Sequence, residues 1–261
     1  PAEAEQAVLP LLAAEADRFR DKRILELGPG SGIASVYLCQ LGAAKVVATD
    51  ILPAAVATAR ANAQRLGCGD AMEVRQVPLS DMSAYSVLAP GERFDVIVSN
   101  PPYSLDLDAA GNDAVTDRGD LGFSIVRGLD ERLADGGFAL LLYASLYYHE
   151  VMAKLAEHEG FVVRSDPAPV LTPWETATLF NAYTRRLLER EGLAPDAVAF
   201  DWRTEPSVWL RAWNPSNTTW DRVRSLVTGD RGFARGPLFP DARPGDYPGW
   251  MVIERRPTPA P

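Results

Sequence analysis

Short apolar segments alternate with helical segments along the first 166 residues, and this alternation constrains the fold more than any other feature. Six apolar segments are predicted as strands: RILEL at 23–27, KVVATD at 45–50, MEVRQV at 72–77, FDVIVSN at 94–100, FALLLYAS at 138–145 and FVVRSD at 161–166. Strands joined through helices pair in parallel, since parallel neighbours need a long crossover connection. Near-continuous apolar strands of this kind are buried on both faces. The sequence therefore predicts an α/β fold with a doubly wound, mostly parallel sheet.

The segments between and around these strands show the spacing and the end signals of helices. Pro53 suits a first helical turn, and Gly67 follows the last residue of the same segment. A further apolar segment, GWMVIERR, is predicted as a closing strand at 249–256. The predicted helices cover 2–20, 33–42, 53–67, 123–137 and 147–160.

The composition changes after residue 166. All six tryptophans, of which Trp174 is the first, lie beyond residue 173, among many prolines. The sixth predicted strand ends at 166 and the closing strand starts at 249, and a connection as long as this usually has structure of its own or a function. Its tryptophans either fill a small core under loops or form a lid that excludes water from a cleft. We predict four units: an N-terminal helix at 1–20, a ligand-binding core at 21–166, a Trp-rich insertion or cap at 167–247, and a closing strand with a tail at 248–261.

Charge and apolar content exclude several classes of protein. The formal net charge is −9, and the first 165 residues contain 14 Lys and Arg against 23 Asp and Glu. Proteins that bind nucleic acid usually carry a basic surface, so a nucleic-acid partner is not expected. The longest apolar run, residues 138–144, is far shorter than the roughly 20 residues that span a bilayer, and the first residues do not predict a signal peptide. Cys39 and Cys68 show no metal-site spacing. We expect a cytoplasmic protein with reduced thiols, no metal and no membrane partner.

Glycines follow the first strand in the segment ELGPGSG, where Gly28, Gly30 and Gly32 are spaced two residues apart. Such a turn lets a ligand approach the backbone and the N-terminus of the next helix. Asp50 ends the second strand and suits two ribose hydroxyls, and Asp81 suits an adenine amino group. The glycines alone indicate little, because a tight turn without a ligand or a nicotinamide dinucleotide site would also use them. Together with the two acids they predict a nucleoside-containing cofactor at the carboxyl ends of the strands.

The fourth strand ends in Asn100, Pro101, Pro102 and Tyr103. The Asn100 side chain and the Pro101 carbonyl offer two hydrogen-bond acceptors on a rigid turn, which suits an NH₂ group with two hydrogens to donate. Binding both hydrogens directs the nitrogen lone pair towards an electrophile in the neighbouring glycine-turn site. Tyr103 then stacks on a planar group or encloses a cation. The pattern predicts attack of a nitrogen on an activated carbon, with the rate supplied by alignment and desolvation.

The segments LELGPGSG, ATD, PLSDM and FDVIVSNPPY, in this order, resemble the class I S-adenosylmethionine-dependent methyltransferases. They are most similar to the branch with an N-P-P-Y motif, which includes the release-factor glutamine N5-methyltransferases and the adenine-N6 methyltransferases. The stretch from Asp117 to Leu142 is also similar to the glutamine enzymes. The resemblance implies a seven-stranded Rossmann-like methyltransferase sheet and S-adenosylmethionine as cofactor. It implies that the target amine contacts Asn100, Pro101 and Tyr103. The cofactor residues implied are Glu26, Gly28, Gly30, Gly32, Asp50, Ile51, Ser80 and Asp81.

A second aromatic group follows the fifth strand and includes Tyr143, Tyr147 and Tyr148. These rings either pack a helix against the sheet or form a wall around the sulfonium or ammonium group of a ligand. With Trp174 they are candidate residues for the substrate side of the site.

The sequence thus favours an S-adenosylmethionine-dependent N-methyltransferase that acts on an amine or amide of a small molecule or on a glutamine side chain. The acidic charge and the predicted cap favour the small molecule. One alternative uses the same cofactor without methyl transfer: its own α-amine attacks, the aminobutyrate chain cyclises and methylthioadenosine leaves. A second alternative is a nucleic-acid adenine-N6 methyltransferase, which the acidic charge disfavours. The sequence leaves the oligomeric state open.

Overall fold

The computed structural model describes residues 8–9, 12–81, 83–101, 104–105, 116–117, 120–145, 152–153, 155–166 and 246–256. The helices with defined bounds are α1 (Ile33–Gln40), α2 (Pro53–Arg65) and α3 (Asp120–Arg132). Residues 8–9, 12–14, 152–153 and 155–158 are also helical, and Ala16–Arg18 form a 3-10 turn. The strands are β1 (Arg23–Leu27), β2 (Lys45–Asp50), β3 (Met72–Gln76), β4 (Phe94–Ser99), β5 (Ser104–Leu105), β6 (Thr116–Asp117), β7 (Leu133–Ser145), β8 (Phe161–Asp166) and β9 (Asp246–Arg255).

Seven strands form one sheet in the order β3-β2-β1-β4-β7-β9-β8, and β5 and β6 pair with each other separately. The pairs from β3 to β7 are parallel, whereas β9 runs antiparallel to both β7 and β8. The strand order reverses between β1 and β4, which is where ligands bind in open α/β sheets. The prediction of a doubly wound, mostly parallel, seven-stranded sheet is confirmed.

Successive residues of the central strands point to opposite faces, and each face has its own apolar core. Ile24 packs in one core and Leu25 in the other. The first core contains buried residues of α1, α2 and the N-terminal segment, with Leu12 and Phe19 fully buried. The second contains residues of α3 and of the helical residues 152–153 and 155–156. Burial on both faces explains why the strands read as continuous apolar runs.

The largest departure from the predicted boundaries lies between α3 and β7. The helix ends at Arg132, and β7 begins five residues before the predicted start at 138. The β4–β7 register shifts between the Phe94 and Val96 pairs, so residues 134–137 form an irregularity in the strand. A Cβ at Gly137 would lie 2.7 Å from the Asp95 carbonyl oxygen, and Gly136 has φ +73°. Gly137 therefore allows close approach of the two strands, and Gly136 supplies a left-handed backbone position within the irregularity.

Other elements agree closely with the sequence. β8 has the predicted bounds, whereas β9 begins at Asp246, three residues before the predicted closing strand. Residues 167–245 lie outside the described residues, so the Trp-rich cap and the four-unit division stay predictions. Within the described part of the chain, no helix is long and apolar enough to cross a membrane. Cys39 and Cys68 are free thiols, and burial together with the neighbouring Cys68 raises the pKa of Cys39 to about 12.

Charged side chains anchor the segment between β3 and β4 at the amino end of β1. The Glu92 carboxylate accepts hydrogen bonds from Arg75 at 2.8 and 3.0 Å, from Arg23, and from the Ala89 N–H at 2.9 Å. Arg132 donates to the Ala89 carbonyl oxygen at 2.8 Å, which joins α3 to the same segment. The hydrogen bonds from Arg75 are the main cause that lowers the pKa of Glu92 from 4.5 to about 2.

We predict that Glu92→Gln lowers the free energy of unfolding by about 2 kcal/mol at pH 7, because it removes the charge that Arg75 and Arg23 bind. A lowered carboxyl pKa stabilises the fold above the unfolded-state value, and this stabilisation is lost as pH falls from about 4.5 towards 2. Urea unfolding of both proteins at pH 7 and pH 3 measures the difference, which shrinks at the lower pH. The exposed Glu159 is the control, and Glu159→Gln leaves stability within 0.5 kcal/mol of wild type, a typical limit for a surface change. An equal loss at both pH values contradicts the prediction.

Candidate cofactor and acceptor site

Three neighbouring strands end at the same level of the sheet. Leu27 of β1 pairs with Thr49 of β2 on one side and with Ser99 of β4 on the other. Neighbouring strands lie about 4.8 Å apart. The residues that directly follow these pairs, Gly28, Asp50 and Asn100, therefore border one cleft at the carboxyl edge.

The glycine turn after β1 needs its glycines for two different reasons. Gly28, Gly30 and Gly32 have backbone φ angles of +71°, +56° and +78°, values that residues with a Cβ rarely adopt. The Gly28 N–H donates to the Thr49 carbonyl oxygen at 2.9 Å, which ties the turn to β2. Gly32 also lacks space, because a Cβ there would lie 2.8 Å from the Ala59 Cβ of α2. The turn is held by backbone geometry at one end and by helix contact at the other.

The Asp50 carboxylate joins the end of β2 to the glycine turn. Its Oδ2 accepts the Gly30 N–H at 3.1 Å, and its Oδ1 accepts the Leu52 N–H at 2.8 Å. A carboxylate oxygen can accept two hydrogen bonds, so each oxygen keeps capacity for a ribose hydroxyl. Asp50 is 8% exposed, and burial raises its pKa although the backbone hydrogen bonds oppose this. The geometry suits the ribose role that the sequence predicts.

Glu26 is the second acid at this edge. It lies in β1 just before the turn, is 3% exposed, and accepts a hydrogen bond from the Ser35 hydroxyl of α1. Ser35 was not among the predicted site residues. Its place three residues after Gly32, on the first turn of the helix that follows the glycines, is the only signal that could have indicated it.

The remaining predicted cofactor residues lie on the two loops beyond β2 and β3. Ile51 and Asp81 are half-buried, and Ser80 is exposed. Gln76, which ends β3 and was not predicted, donates through its Nε2 to the Ile51 carbonyl oxygen at 2.6 Å. Asn62 of α2, also missed, donates to the Ser31 carbonyl oxygen at 2.9 Å and supports the glycine turn. Both are neutral side chains that bind backbone carbonyl groups, a role with no sequence pattern.

The part of the site that is predicted to bind the target amine begins at the end of β4. The Ser99 hydroxyl is fully buried and donates to the Leu27 carbonyl oxygen at 2.9 Å, which fixes β4 against β1. Asn100 is half-buried and Pro101 is buried, and both directly follow the Ser99 end of β4. Tyr143 belongs to β7, where its backbone is paired with Gly249. Four other predicted site residues lie outside the described residues: Tyr103, Tyr147, Tyr148 and Trp174. Their roles stay predictions.

Across the residues that the structure describes, no three His, Cys, Asp or Glu side chains are grouped so that they could hold an ion.

Comparisons with known proteins agree with this geometry. Residues 6–101 match the model of the ribosomal protein L11 methyltransferase family. A release factor glutamine methyltransferase from Bordetella pertussis is 43% identical over 103 residues, covering 39% of this chain and 33% of that protein. The Neisseria gonorrhoeae enzyme of the same name is 37% identical over 154 residues, covering 53% of each. The chain thus spans about half or less of the length of these relatives.

A solved structure of ribosomal protein L11 methylase from Lactobacillus delbrueckii subsp. bulgaricus aligns with a TM-score of 0.46. It is 20% identical, over 59% of this chain and 68% of that chain.

The sheet order, the glycine turn with Asp50 and Glu26, and the sequence matches define the class. The chain has the core of an S-adenosylmethionine-dependent methyltransferase, and S-adenosylmethionine is its cofactor. The predicted class and cofactor are confirmed.

We predict that Gly32→Ala lowers the free energy of unfolding by about 3 kcal/mol, since it combines left-handed backbone strain with the contact to Ala59. Gly91 is a matched control: its φ is +73°, but a Cβ there meets no atom within 4 Å. Gly91→Ala therefore costs about 1 kcal/mol, the strain alone. Urea unfolding of the two variants measures the difference. Equal losses would show that the Ala59 contact does not constrain the turn.

We predict that Asp50→Ala weakens binding of 5′-methylthioadenosine at least tenfold, because two charge-assisted hydrogen bonds to ribose are lost. In the wild type the affinity falls as pH is lowered, because protonation removes the charge. The fall begins at a higher pH than an ordinary aspartate would give, since burial raises the pKa of Asp50. Calorimetry between pH 7.5 and 4.5 measures both effects, and this ligand has no amino acid group to titrate.

The exposed Asp70 provides the control for the Asp50 prediction. Asp70→Ala keeps both the affinity and the pH profile of the wild type. A pH profile that persists unchanged in Asp50→Ala would assign the titration to another group.

Proposed function

We propose that this chain transfers the methyl group of S-adenosylmethionine to a side-chain amide nitrogen of glutamine. The observation that carries the proposal is the pairing of Leu27 with Ser99, which brings the end of β4 beside the turn that starts at Gly28. The cofactor turn and the Asn100-Pro101 pair therefore begin at the same level on adjacent strands. Donor and acceptor sites that adjoin in this way suit direct transfer between two bound molecules.

The chemistry needs alignment more than acid–base assistance. The Asn100 amide oxygen and the Pro101 carbonyl oxygen accept the two hydrogens of the acceptor NH₂ group. The nitrogen lone pair then attacks the methyl carbon as the carbon–sulfur bond breaks, and the sulfonium becomes the neutral thioether of S-adenosylhomocysteine. The product nitrogen loses one proton to water. Ser99 supports this arrangement, because its hydrogen bond to Leu27 fixes the distance between the two strand ends.

The choice of glutamine over a small amine is supported by the relatives rather than by the described geometry. The curated proteins that match at 37% and 43% identity are named release factor glutamine methyltransferases. Charge supports the same choice against nucleic acid, because the formal net charge is −9. A small-molecule amine remains a competing outcome of the experiment.

The test incubates the protein with S-adenosylmethionine and a short glutamine peptide, a matched asparagine peptide or a panel of small primary amines. The proposal expects S-adenosylhomocysteine together with one added methyl group on the glutamine side chain, detected by mass spectrometry. Methylation of a small amine but not of the peptide would overturn the choice of glutamine. Methylthioadenosine released from the cofactor alone would overturn methyl transfer.

We predict that Asn100→Ala lowers kcat by at least a hundredfold and leaves the affinity for S-adenosylhomocysteine within twofold of wild type. The side chain acts on the acceptor nitrogen, so its loss affects transfer rather than cofactor binding. Asn100→Asp keeps an acceptor oxygen at the same position and retains more activity than Asn100→Ala. Calorimetry and initial rates at saturating cofactor separate the two effects. Equal losses of affinity and kcat would contradict the assigned role.

A further inference from the structure

Gln76 makes an unusual set of contacts at the carboxyl edge of the sheet. Its Nε2 lies 2.6 Å from the Ile51 carbonyl oxygen, 2.9 Å from that of Val77 and 3.3 Å from that of Asp50. All three neighbours are acceptors, so the amide must present its NH₂ group rather than its oxygen to them. Its two hydrogens serve the two shorter contacts, to Ile51 and Val77, and the more distant Asp50 carbonyl oxygen shares one of these hydrogens. One half-buried side chain thus binds three backbone carbonyl groups.

These contacts continue the pairing of β2 and β3 beyond the end of the ladder. Asp50 pairs with Gln76, and the Val77 N–H donates to the Asp50 carbonyl oxygen at 2.8 Å. Past this point the Gln76 side chain joins the two segments, because its Nε2 contacts the carbonyl oxygens of both Ile51 and Val77. Ile51 leads to the Leu52 N–H that holds the Asp50 carboxylate.

The chain beyond Val77 carries the other half of the predicted nucleoside site. Pro78 begins a turn in which the Asp81 N–H donates to the Pro78 carbonyl oxygen at 3.0 Å. Asp50 is suited to ribose and Asp81 to adenine, so the two groups that contact one nucleoside lie on two separate loops. The distance between the loops must match the distance between the ribose hydroxyls and the adenine amino group.

We propose that Gln76 is a positioning residue that sets this distance. It acts through the Asp50–Ile51 exit of β2 and the 77–81 loop, and it need not touch the cofactor. The inference rests on the cofactor site of the proposed function. If the role of Gln76 were purely structural, its side chain would satisfy the three carbonyl groups and stabilise the fold. The effect of Gln76 on ligand affinity would then not depend on the presence of Asp50.

The first experiment compares Gln76→Met, which has similar length and no donor, with wild type. S-adenosylhomocysteine and 5′-methylthioadenosine are the ligands. We expect both affinities to fall by the same factor, about tenfold, because only the nucleoside half uses the two loops. Gln64→Met is the matched control, since Gln64 is exposed on α2, and its affinities equal those of wild type. Should Gln76→Met fail to fold, Gln76→Asn keeps both donors one methylene short and is expected to show a smaller loss for both ligands.

The second experiment is a double-mutant cycle with Asp50→Ala. If Gln76 acts by placing Asp50, Gln76→Met costs less affinity when Asp50 is already absent. Additive losses, or wild-type affinity in Gln76→Met with only a lower melting temperature, would overturn the inference. A wild-type protein that binds neither ligand would overturn the proposed function itself, so the two failures are distinguishable.

Discussion

The hydrogen bonds of the Asp50 carboxylate hold together the part of the molecule on which the site depends. One oxygen accepts the Gly30 N–H and the other the Leu52 N–H, so a single side chain connects the turn after β1 to the exit of β2. The cost of this arrangement is visible in the pKa of Asp50, which burial raises above its ordinary value. A buried carboxylate with a raised pKa lowers stability at neutral pH relative to an exposed one. Ribose hydroxyls would supply the donors that burial has taken from it.

Opposite edges of the sheet use charge in different ways. At the amino edge, the negative charge of Glu92 is offset by Arg75 and Arg23, and its pKa is lowered to about 2. At the carboxyl edge, the strand ends are joined by neutral groups: Ser99 to Leu27, and Gln76 to Ile51. Neutral donors fix the backbone without compensating the charge of Asp50. The edge therefore stays favourable for a ligand that carries a sulfonium and an ammonium group.

Much of the fold could be predicted from the sequence because both faces of the sheet are buried. That burial makes the strands continuous apolar runs, so KVVATD and FVVRSD are found with the predicted bounds. The segment LADGG was assigned to a helix because its glycines read as a helix end. Gly137 instead lets β7 approach the Asp95 carbonyl group closely, and that requirement depends on the partner strand, which the local sequence does not reveal.

The candidate site likewise contains residues that the local sequence indicates and residues that depend on distant parts of the fold. Residues that bind a cofactor are of recognisable chemical types and come just after the ends of strands. Asp50 and the glycine turn lie where the sequence predicts them. Gln76, Asn62 and Ser35 were missed because they act on the backbone or on another side chain, and many residue types can do this at many positions. Their partners are set by the crossing of elements distant in sequence: Asn62 reaches Ser31 across 31 residues, and Gln76 reaches Ile51 across 25. Such supporting residues follow from the fold, whereas the residues they support follow from the chemistry of the ligand. A sequence pattern can therefore indicate which ligand binds, whereas the affinity also depends on supporting residues that the pattern does not indicate.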